Sequence, residues 1–287
     1  MSASRKVLYL CSGAQSSGST LVSWCFLQRR DMDGVLDGAT DLLPPLDPGL
    51  GRPLAWYKTT IACFRLCEVA DHYRDQGWDV HPLLIVRDVR KIWESLVKKT
   101  YGLNGITAED PPLRMRLNRF LDDWERFRAE DWPILRYEQL VEHPRRALEA
   151  ACDRLDLPWD EAMFTWPKQH EDVADAQRGN KTFWNTRGSN LLDTLASYAD
   201  QPKTLAVPAA DLVWLESRFR EFNMANGYPL HVELPASGAV ASPPPSFAAT
   251  RRYRWETMRK PFRQLLLMLG FENRRLIERR SVKQRRP

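Results

Sequence analysis

The sequence lacks a long apolar run, and this absence excludes a membrane-spanning chain. The longest candidate stretch, Leu265 to Leu269, has five residues, whereas a spanning helix needs about 20 apolar residues. The N-terminus, MSASRK followed by VLYLC, also lacks the apolar stretch and the small-residue cleavage site of a signal peptide. We therefore expect a cytoplasmic protein whose first apolar residues form a strand.

Cysteine and histidine are scarce as well, which argues against disulfides and against a metal site. The five cysteines are an odd number and form no C-x-x-C pair, so we expect buried free thiols in a reducing compartment. Cys63 and Cys67 lie four residues apart, a spacing that suits one face of a helix. The five histidines show no metal-ligand spacing, so the sequence implies no metal.

The net positive charge of the chain is confined to its C-terminal residues. Residues 251–287 hold 13 Lys/Arg against 3 Asp/Glu, a net charge of +10, so the other 250 residues carry −5. In this tail, arginines alternate with aromatic and aliphatic residues. Such a segment suits docking on the acidic body or on a protein partner, or contact with the inner face of an anionic membrane; nucleic acid is the least favoured partner. A linker rich in Pro, Ala and Ser precedes it, and the expected units are 1–231, 232–250 and 251–287.

Short apolar runs alternate with amphipathic helical patterns along residues 1–231. The runs are Lys6 to Cys11, Leu54 to Lys58, His81 to Val86 and Pro133 to Tyr137. Apolar residues at helical spacing follow within residues 89–97, 113–127, 147–155 and 212–222. This alternation predicts a three-layer α/β fold with a mainly parallel central sheet and helices on both faces. Residues 38–53, rich in Pro, Gly and Asp, predict a long loop.

The first strand is followed by a loop of small residues, Ser12 to Thr20, and then by an apolar helix. Backbone N–H groups of such a P-loop-like strand–loop–helix bind phosphate at the positive end of the helix dipole. Gly13 and Gly18 match the glycine spacing of G-x-x-x-x-G-K-[ST], but Ser19 stands at the lysine position. A nucleotide triphosphatase needs that lysine to reach the β- and γ-phosphates, so its absence argues against ATP or GTP hydrolysis.

A second candidate anion site follows the strand that ends at Val86. Arg87 stands where this strand ends, and Ser95 is eight residues further on in the next helix. Ligands of open α/β sheets bind at the carboxyl ends of the strands. An arginine and a serine that converge there can hold a phosphate through charge-assisted and hydroxyl hydrogen bonds.

These segments, in this order, resemble the sulfotransferases that use 3′-phosphoadenosine 5′-phosphosulfate (PAPS). In that family a loop with S-G-[ST]-[ST] binds the 5′-phosphosulfate, and an R-D-x-R…S segment binds the 3′-phosphate. The stretch Leu135 to Leu140 (L-R-Y-E-Q-L) resembles the family's R-Y-E-D-L, and residues 179–187 resemble, more weakly, its late donor-binding loop. The resemblance implies these donor-binding residues: Gln15, Ser16, Ser17, Gly18, Ser19, Thr20, Arg87, Ser95, Tyr137, Asn180, Lys181 and Arg187.

Two positions depart from the family pattern, and both concern catalysis. Ser16 replaces the usual Lys or Arg before S-G-[ST]-[ST], and Thr60 replaces the histidine of K-T-H. The resemblance leaves Lys58 as the cation that offsets charge on the transferring group, with Arg187 as a weaker candidate. Asp37 and Asp41 follow the first helix, where glycan-type members place a carboxylate base, so both are candidate general bases.

The resemblance implies in-line transfer of a sulfuryl group from PAPS to a hydroxyl acceptor, with adenosine 3′,5′-bisphosphate (PAP) as the product. The acceptor stays open among carbohydrates, glycolipids and small natural products. Two alternatives remain: a catalytically impaired PAP-binding protein, which the changes at Ser16 and Thr60 suggest, and a P-loop small-molecule kinase.

Overall fold

In the part of the chain that the structure describes, a five-stranded parallel sheet forms the middle layer. The computed structural model describes residues 6–36, 52–61, 64–96, 111–169, 190–199 and 207–231. The strands are β1 (Val7–Gly13), β2 (Met32–Val35), β3 (Leu54–Lys58), β4 (Asp79–Val86) and β5 (Ile134–Arg136). Their order in the sheet is β2-β3-β1-β4-β5, so the first strand lies at the centre. All neighbouring strands run parallel.

Helices cover both faces of this sheet, which confirms the predicted three-layer α/β fold. The described helices are α1 (Ser19–Leu27), α2 (Leu66–Asp75), α3 (Val89–Ser95), α4 (Pro111–Ala129), α5 (Tyr137–Glu142), α6 (Pro144–Arg154), α7 (Ala162–Thr165), α8 (Leu191–Ala199), α9 (Ala209–Arg218) and α10 (Arg220–Ala225). One hydrophobic core lies between the sheet and the helices α2, α3, α4, α9 and α10. A second lies between the sheet and the helices α1, α5, α6, α7 and α8.

The central strand β1 shows why the apolar runs are continuous rather than alternating. Leu8 and Leu10 point into the core of α2, α3 and α4, while Tyr9 and Cys11 point into the core of α1 and α6. Successive side chains of a strand face opposite sides, so a strand buried on both faces needs apolar residues at every position.

Two strand predictions need correction. The predicted strand from Pro133 to Tyr137 covers only Ile134–Arg136, and Tyr137 begins α5. Its partner strand β4 ends at Val86, opposite Arg136, so Tyr137 has no strand residue in β4 to pair with. The short edge strand Met32–Val35 escaped prediction because its sequence, MDGV, contains two residues that are rare in strands. The interior of the predicted 38–53 loop, the linker and the basic tail lie outside the described residues.

The cysteines of the described regions are free and buried, as predicted. Burial raises the pKa of the thiols of Cys11 and Cys25 to about 12, so both are inert as nucleophiles. Cys67 lies in α2, which begins at Leu66, whereas Cys63 lies outside the described residues. Within the described ranges, no helix is long and apolar enough to cross a membrane.

A buried carboxylate joins α4 to the beginning of α2. Asp123 Oδ2 accepts a hydrogen bond from the N–H of Leu66 at 2.6 Å, and Oδ1 accepts one from the N–H of Cys67 at 3.1 Å. These are first-turn N–H groups that have no partner within the helix itself. Burial raises the pKa of Asp123 to about 6, although the two N–H groups favour the charged form.

Replacing Asp123 with asparagine should lower the free energy of unfolding at pH 7 by about 1–3 kcal/mol, because one N–H loses its acceptor. The native pKa lies above the ordinary value of 3.8, so the native state keeps its proton to higher pH. The contribution of this group to stability therefore falls as the pH rises from about 4 to about 6. Urea unfolding should therefore show that the difference in the free energy of unfolding between wild type and Asp123→Asn narrows as the pH rises across this range. Asp122→Asn, on the exposed side of α4, is the matched control and should change little.

Candidate active site

The loop between β1 and α1 has the geometry of an anion-binding turn. The N–H of Ser17 donates to the carbonyl of Ala14 at 3.0 Å, and Ser16 and Gly18 adopt positive φ angles of 70° and 93°. Gly18 caps α1 without a side-chain hydrogen bond, and the first turn of the helix contains no acidic residue. The positive end of the helix dipole is therefore available to an anion.

Space requires glycine at both loop positions, and at Gly18 the positive φ of 93° requires it as well. A Cβ on Gly13 would collide with the Ser17 hydroxyl and the carbonyl of Ile85, and a Cβ on Gly18 would collide with the ring of Tyr137. The loop thus folds tightly over the ends of β1 and β4. The Ser17 hydroxyl is buried without a hydrogen-bond partner among the described residues, which leaves a polar atom for a ligand within the turn.

Arg87 and Ser95 reach the same loop residue from two other elements. Arg87 follows β4, and its Nη1 donates to the carbonyl of Ser16 at 3.0 Å; Ser95 ends α3, and its hydroxyl donates to Ser16 Oγ at 3.0 Å. The guanidinium of Arg87 also lies 4.6 Å above the ring of Tyr137, a cation–π contact that fixes its plane. The structure therefore brings the two predicted anion-binding segments together at the switch point between β1 and β4.

Lys58 stands at the same edge of the sheet. It ends β3 opposite Cys11 of β1, and beyond it the N–H of Ile61 donates to the carbonyl of Gly13 at 3.0 Å. Lys58 is 4% exposed, and its Nζ donates to Thr60 Oγ1 at 3.3 Å. The residue that replaces the family's histidine is thus a hydrogen-bond partner of the candidate catalytic cation.

The remaining predicted residues divide into two groups. Gln15, Ser19 and Thr20 belong to the loop and the first turn of α1, with Ser19 buried and the other two half-buried. Asp37, Asp41, Asn180, Lys181 and Arg187 lie outside the described residues, and their roles stay predictions. The described part of the chain contains no group of three potential metal ligands.

The structure adds a set of charged residues that sequence reasoning missed. Asp88 caps α3 by accepting a hydrogen bond from the N–H of Arg90 at 2.9 Å, and Arg90 forms a buried ion pair with Glu216 at 3.0 Å. Glu138 accepts hydrogen bonds from the Asp88 N–H and the Tyr228 hydroxyl. The second arginine of R-D-x-R and the glutamate of R-Y-E were visible in the sequence, whereas nothing local marks Glu216 or Tyr228.

A parallel sheet between two helical layers, with an anion-binding turn after its central strand, defines the class as a P-loop-like α/β protein. Residues 81–161 match a family model described as "Sulfotransferase family". This segment contains Arg87, Ser95 and Tyr137, and the resemblance to the sulfotransferase family is thereby confirmed.

Two sulfotransferase domains are among the solved structures that are similar to the chain. The "Sulfotransferase Domain from the Curacin Biosynthetic Pathway" is 16% identical with a TM-score of 0.51, covering 80% of this chain and 99% of that one. The "Sulfotransferase Domain from the Synechococcus PCC 7002 Olefin Synthase" is 15% identical with a TM-score of 0.47, covering 82% of this chain and 98% of that one. The first of them shows the same fold. No curated protein matches the sequence.

Proposed function

We propose that the protein is a PAPS-dependent sulfotransferase that places a sulfuryl group on a hydroxyl of its acceptor and releases PAP. One observation carries the proposal: Arg87 and Ser95 both contact Ser16 of the β1–α1 loop, at 3.0 Å in each case. Two anion-binding elements in contact suit a nucleotide that bears phosphate groups on both its 5′ and its 3′ oxygens.

The residues present fit such a donor. The loop from Ser16 to Thr20 offers N–H groups at the beginning of α1, and the Ser17 hydroxyl is buried without a partner among the described residues. Of the five N–H donors of Arg87, one is assigned to Ser16 within the described regions. The others are available for a 3′-phosphate, which ATP and GTP lack, so Arg87 with Ser95 would select PAPS against them.

Each remaining group has one chemical task in this proposal. PAPS, when bound, supplies an activated sulfuryl group; the S–O bond to its bridging oxygen breaks as a new S–O bond to the acceptor oxygen forms. Lys58, with Arg187 as a weaker candidate, would offset the negative charge on the transferring group. The hydroxyls of Ser19 and Thr20 would help the loop backbone to hold the 5′-phosphosulfate. The acceptor proton would pass to a carboxylate, for which Asp37 and Asp41 are the candidates.

Two alternatives keep specific support. Serine at position 16 and threonine at position 60 favour a PAP-binding protein that has lost catalysis. The glycine spacing of the loop favours a P-loop kinase, but Ser19 at the lysine position counts against it. For the wider context we propose a cytoplasmic enzyme whose basic tail contacts a protein or an anionic membrane surface.

The test is calorimetric titration of the full chain with PAP and, separately, with Mg-ATP. We expect PAP to bind and Arg87→Ala to weaken it by about 100-fold, because charge-assisted hydrogen bonds of about 1.5–3 kcal/mol each are lost. Arg218→Ala, an exposed arginine bonded to Asn118 at 2.8 Å, is the charge-matched control and should bind PAP like wild type. Binding of Mg-ATP without PAP would reject the sulfotransferase and favour the kinase.

A further inference from the structure

The segment Tyr228 to His231 follows the last described helix, α10. Hydrogen bonds connect this segment to residues near Arg87. We infer that this segment, the C-terminal strap, is a positioning element that holds Arg87 in its donor-binding place. The inference rests on the proposed function, because it assigns the strap to the 3′-phosphate site.

The first tie passes through Glu138. The Tyr228 hydroxyl donates to Glu138 Oε2 at 2.7 Å, and Glu138 Oε1 accepts a hydrogen bond from the N–H of Asp88 at 3.0 Å. Asp88 directly follows Arg87. The carboxylate of Glu138 therefore fixes the backbone next to Arg87. The Tyr228 hydroxyl thus orients Glu138, and Glu138 in turn orients the backbone beside Arg87.

The second tie passes through Arg90. Its Nε and Nη2 donate to the two oxygens of Asp88 at 2.8 and 2.7 Å, while its Nη1 donates to Glu216 at 3.0 Å and to the carbonyl of Pro229. The N–H of His231 donates to both oxygens of Glu216 at 2.9 Å. Asp88 is therefore held by its N–H from one side and by its carboxylate from the other.

Burial makes these ties rigid. Arg90 is 1% exposed and Glu216 is fully buried, so water cannot readily replace either partner. The ring of Tyr228 is buried as well and lies between Phe222, with centroids 5.8 Å apart, and the guanidinium of Arg136, 5.5 Å from the ring. Binding is stronger when the groups that contact a ligand are fixed in advance. The strap supplies this fixation to Arg87 through Glu138, Asp88 and Arg90.

The experiment compares PAP with adenosine 5′-monophosphate (AMP), which lacks the 3′-phosphate. Tyr228→Phe removes one hydroxyl and keeps the buried ring. We expect it to weaken PAP binding about tenfold, the scale of one hydrogen bond to a charged group, and to change AMP binding less than twofold. The steady-state readout is a raised KM for PAPS with kcat unchanged, since Lys58 and the loop are untouched.

Two further variants keep the test decisive. Glu138→Ala should weaken PAP binding more than Glu138→Gln, because glutamine keeps an acceptor for the Asp88 N–H. Arg218→Ala breaks the hydrogen bond from the end of α9 to Asn118, outside the strap, and should leave the PAP-to-AMP ratio unchanged.

Each outcome has one meaning. An equal loss of PAP and AMP affinity in Tyr228→Phe would overturn the inference, because the strap would then serve only the fold. Unchanged PAP affinity would overturn it too, while leaving the proposed function intact. Failure of the wild-type chain to bind PAP would instead reject the proposed function itself.

Discussion

Replacing Lys58 with alanine should lower the rate of sulfuryl transfer by about 10²–10³ while PAP affinity stays within about twofold, since the charge acts mainly on the transition state. Lys58 is 4% exposed and stands at the end of β3, at the edge of the sheet that carries the β1–α1 loop. A cation that is buried from water interacts with developing charge more strongly than one in water, because the local dielectric constant is lower. The measurement is PAP release from PAPS, with water as the acceptor and then with any acceptor that a screen of hydroxyl compounds yields.

A lysine placed in the β1–α1 loop should partly restore the activity of Lys58→Ala. Ser16→Lys, added to Lys58→Ala, should recover about tenfold or more of the lost rate, because it returns a cation to the position where the family places one. Recovery should be incomplete, since the φ of 70° at position 16 disfavours a long side chain and the bond from Ser95 is lost. Lys91→Ala, a half-buried lysine of α3 paired with Glu94, is the control that should keep full activity.

The same assay separates the enzyme from the inactive PAP-binding protein. If wild type and Lys58→Ala both bind PAP and neither releases PAP from PAPS, the protein has lost catalysis. If Lys58→Ala loses PAP binding as well as rate, Lys58 is a structural or donor-binding residue and the catalytic assignment is wrong.

Local sequence signals explain why the convergence of the β1–α1 loop, Arg87 and Ser95 at one edge of the sheet could be predicted. Small residues between a strand and a helix allow the positive φ and the close backbone approach that the turn around Gly13 and Gly18 requires. The position of Arg87 followed from the end of an apolar run. Because parallel strands end at the same edge of a sheet, these two signals were enough to bring the loop, Arg87 and Ser95 together.

Long-range partners explain what could not be predicted. Glu216 lies 126 positions from Arg90, and Tyr228 lies 90 positions from Glu138. Glu216 lies in an ordinary amphipathic helix, α9, and Tyr228 follows the short helix α10, so no periodicity or motif marks them. The first contact depends on how α9 packs against α3, and the second joins α5 to a segment beyond α10. The pattern of a single helix contains neither.

Position 16 shows how a sequence difference can be interpreted too narrowly. Compared with the family pattern, serine there appears only as the loss of a cation. In the structure its carbonyl accepts the Arg87 hydrogen bond, its hydroxyl accepts the Ser95 hydrogen bond, and its φ is positive. The residue therefore joins the two anion-binding segments, and the proposed function takes its cation from outside the loop, with Lys58 and Arg187 as the candidates.

Arg90→Ala should lower the free energy of unfolding by about 3–5 kcal/mol, the cost typical of removing one partner of a buried ion pair. The pKa of Arg90 is raised because, although burial opposes its charge, Asp88 and then Glu216 stabilise it. Without the guanidinium, both carboxylates stay in the interior, with the N–H of His231 still bonded to Glu216.

Urea unfolding of Arg90→Ala, Glu216→Ala and the double variant measures this coupling. The double variant should lose less stability than the two single variants together, by about 1–3 kcal/mol, because removing both charges leaves no uncompensated carboxylate at position 216. Strictly additive losses would show that the pair is not coupled, and the strap would then depend on the Tyr228 tie alone. A loss below about 1 kcal/mol in Arg90→Ala would mean that water reaches the cluster, as at an exposed pair.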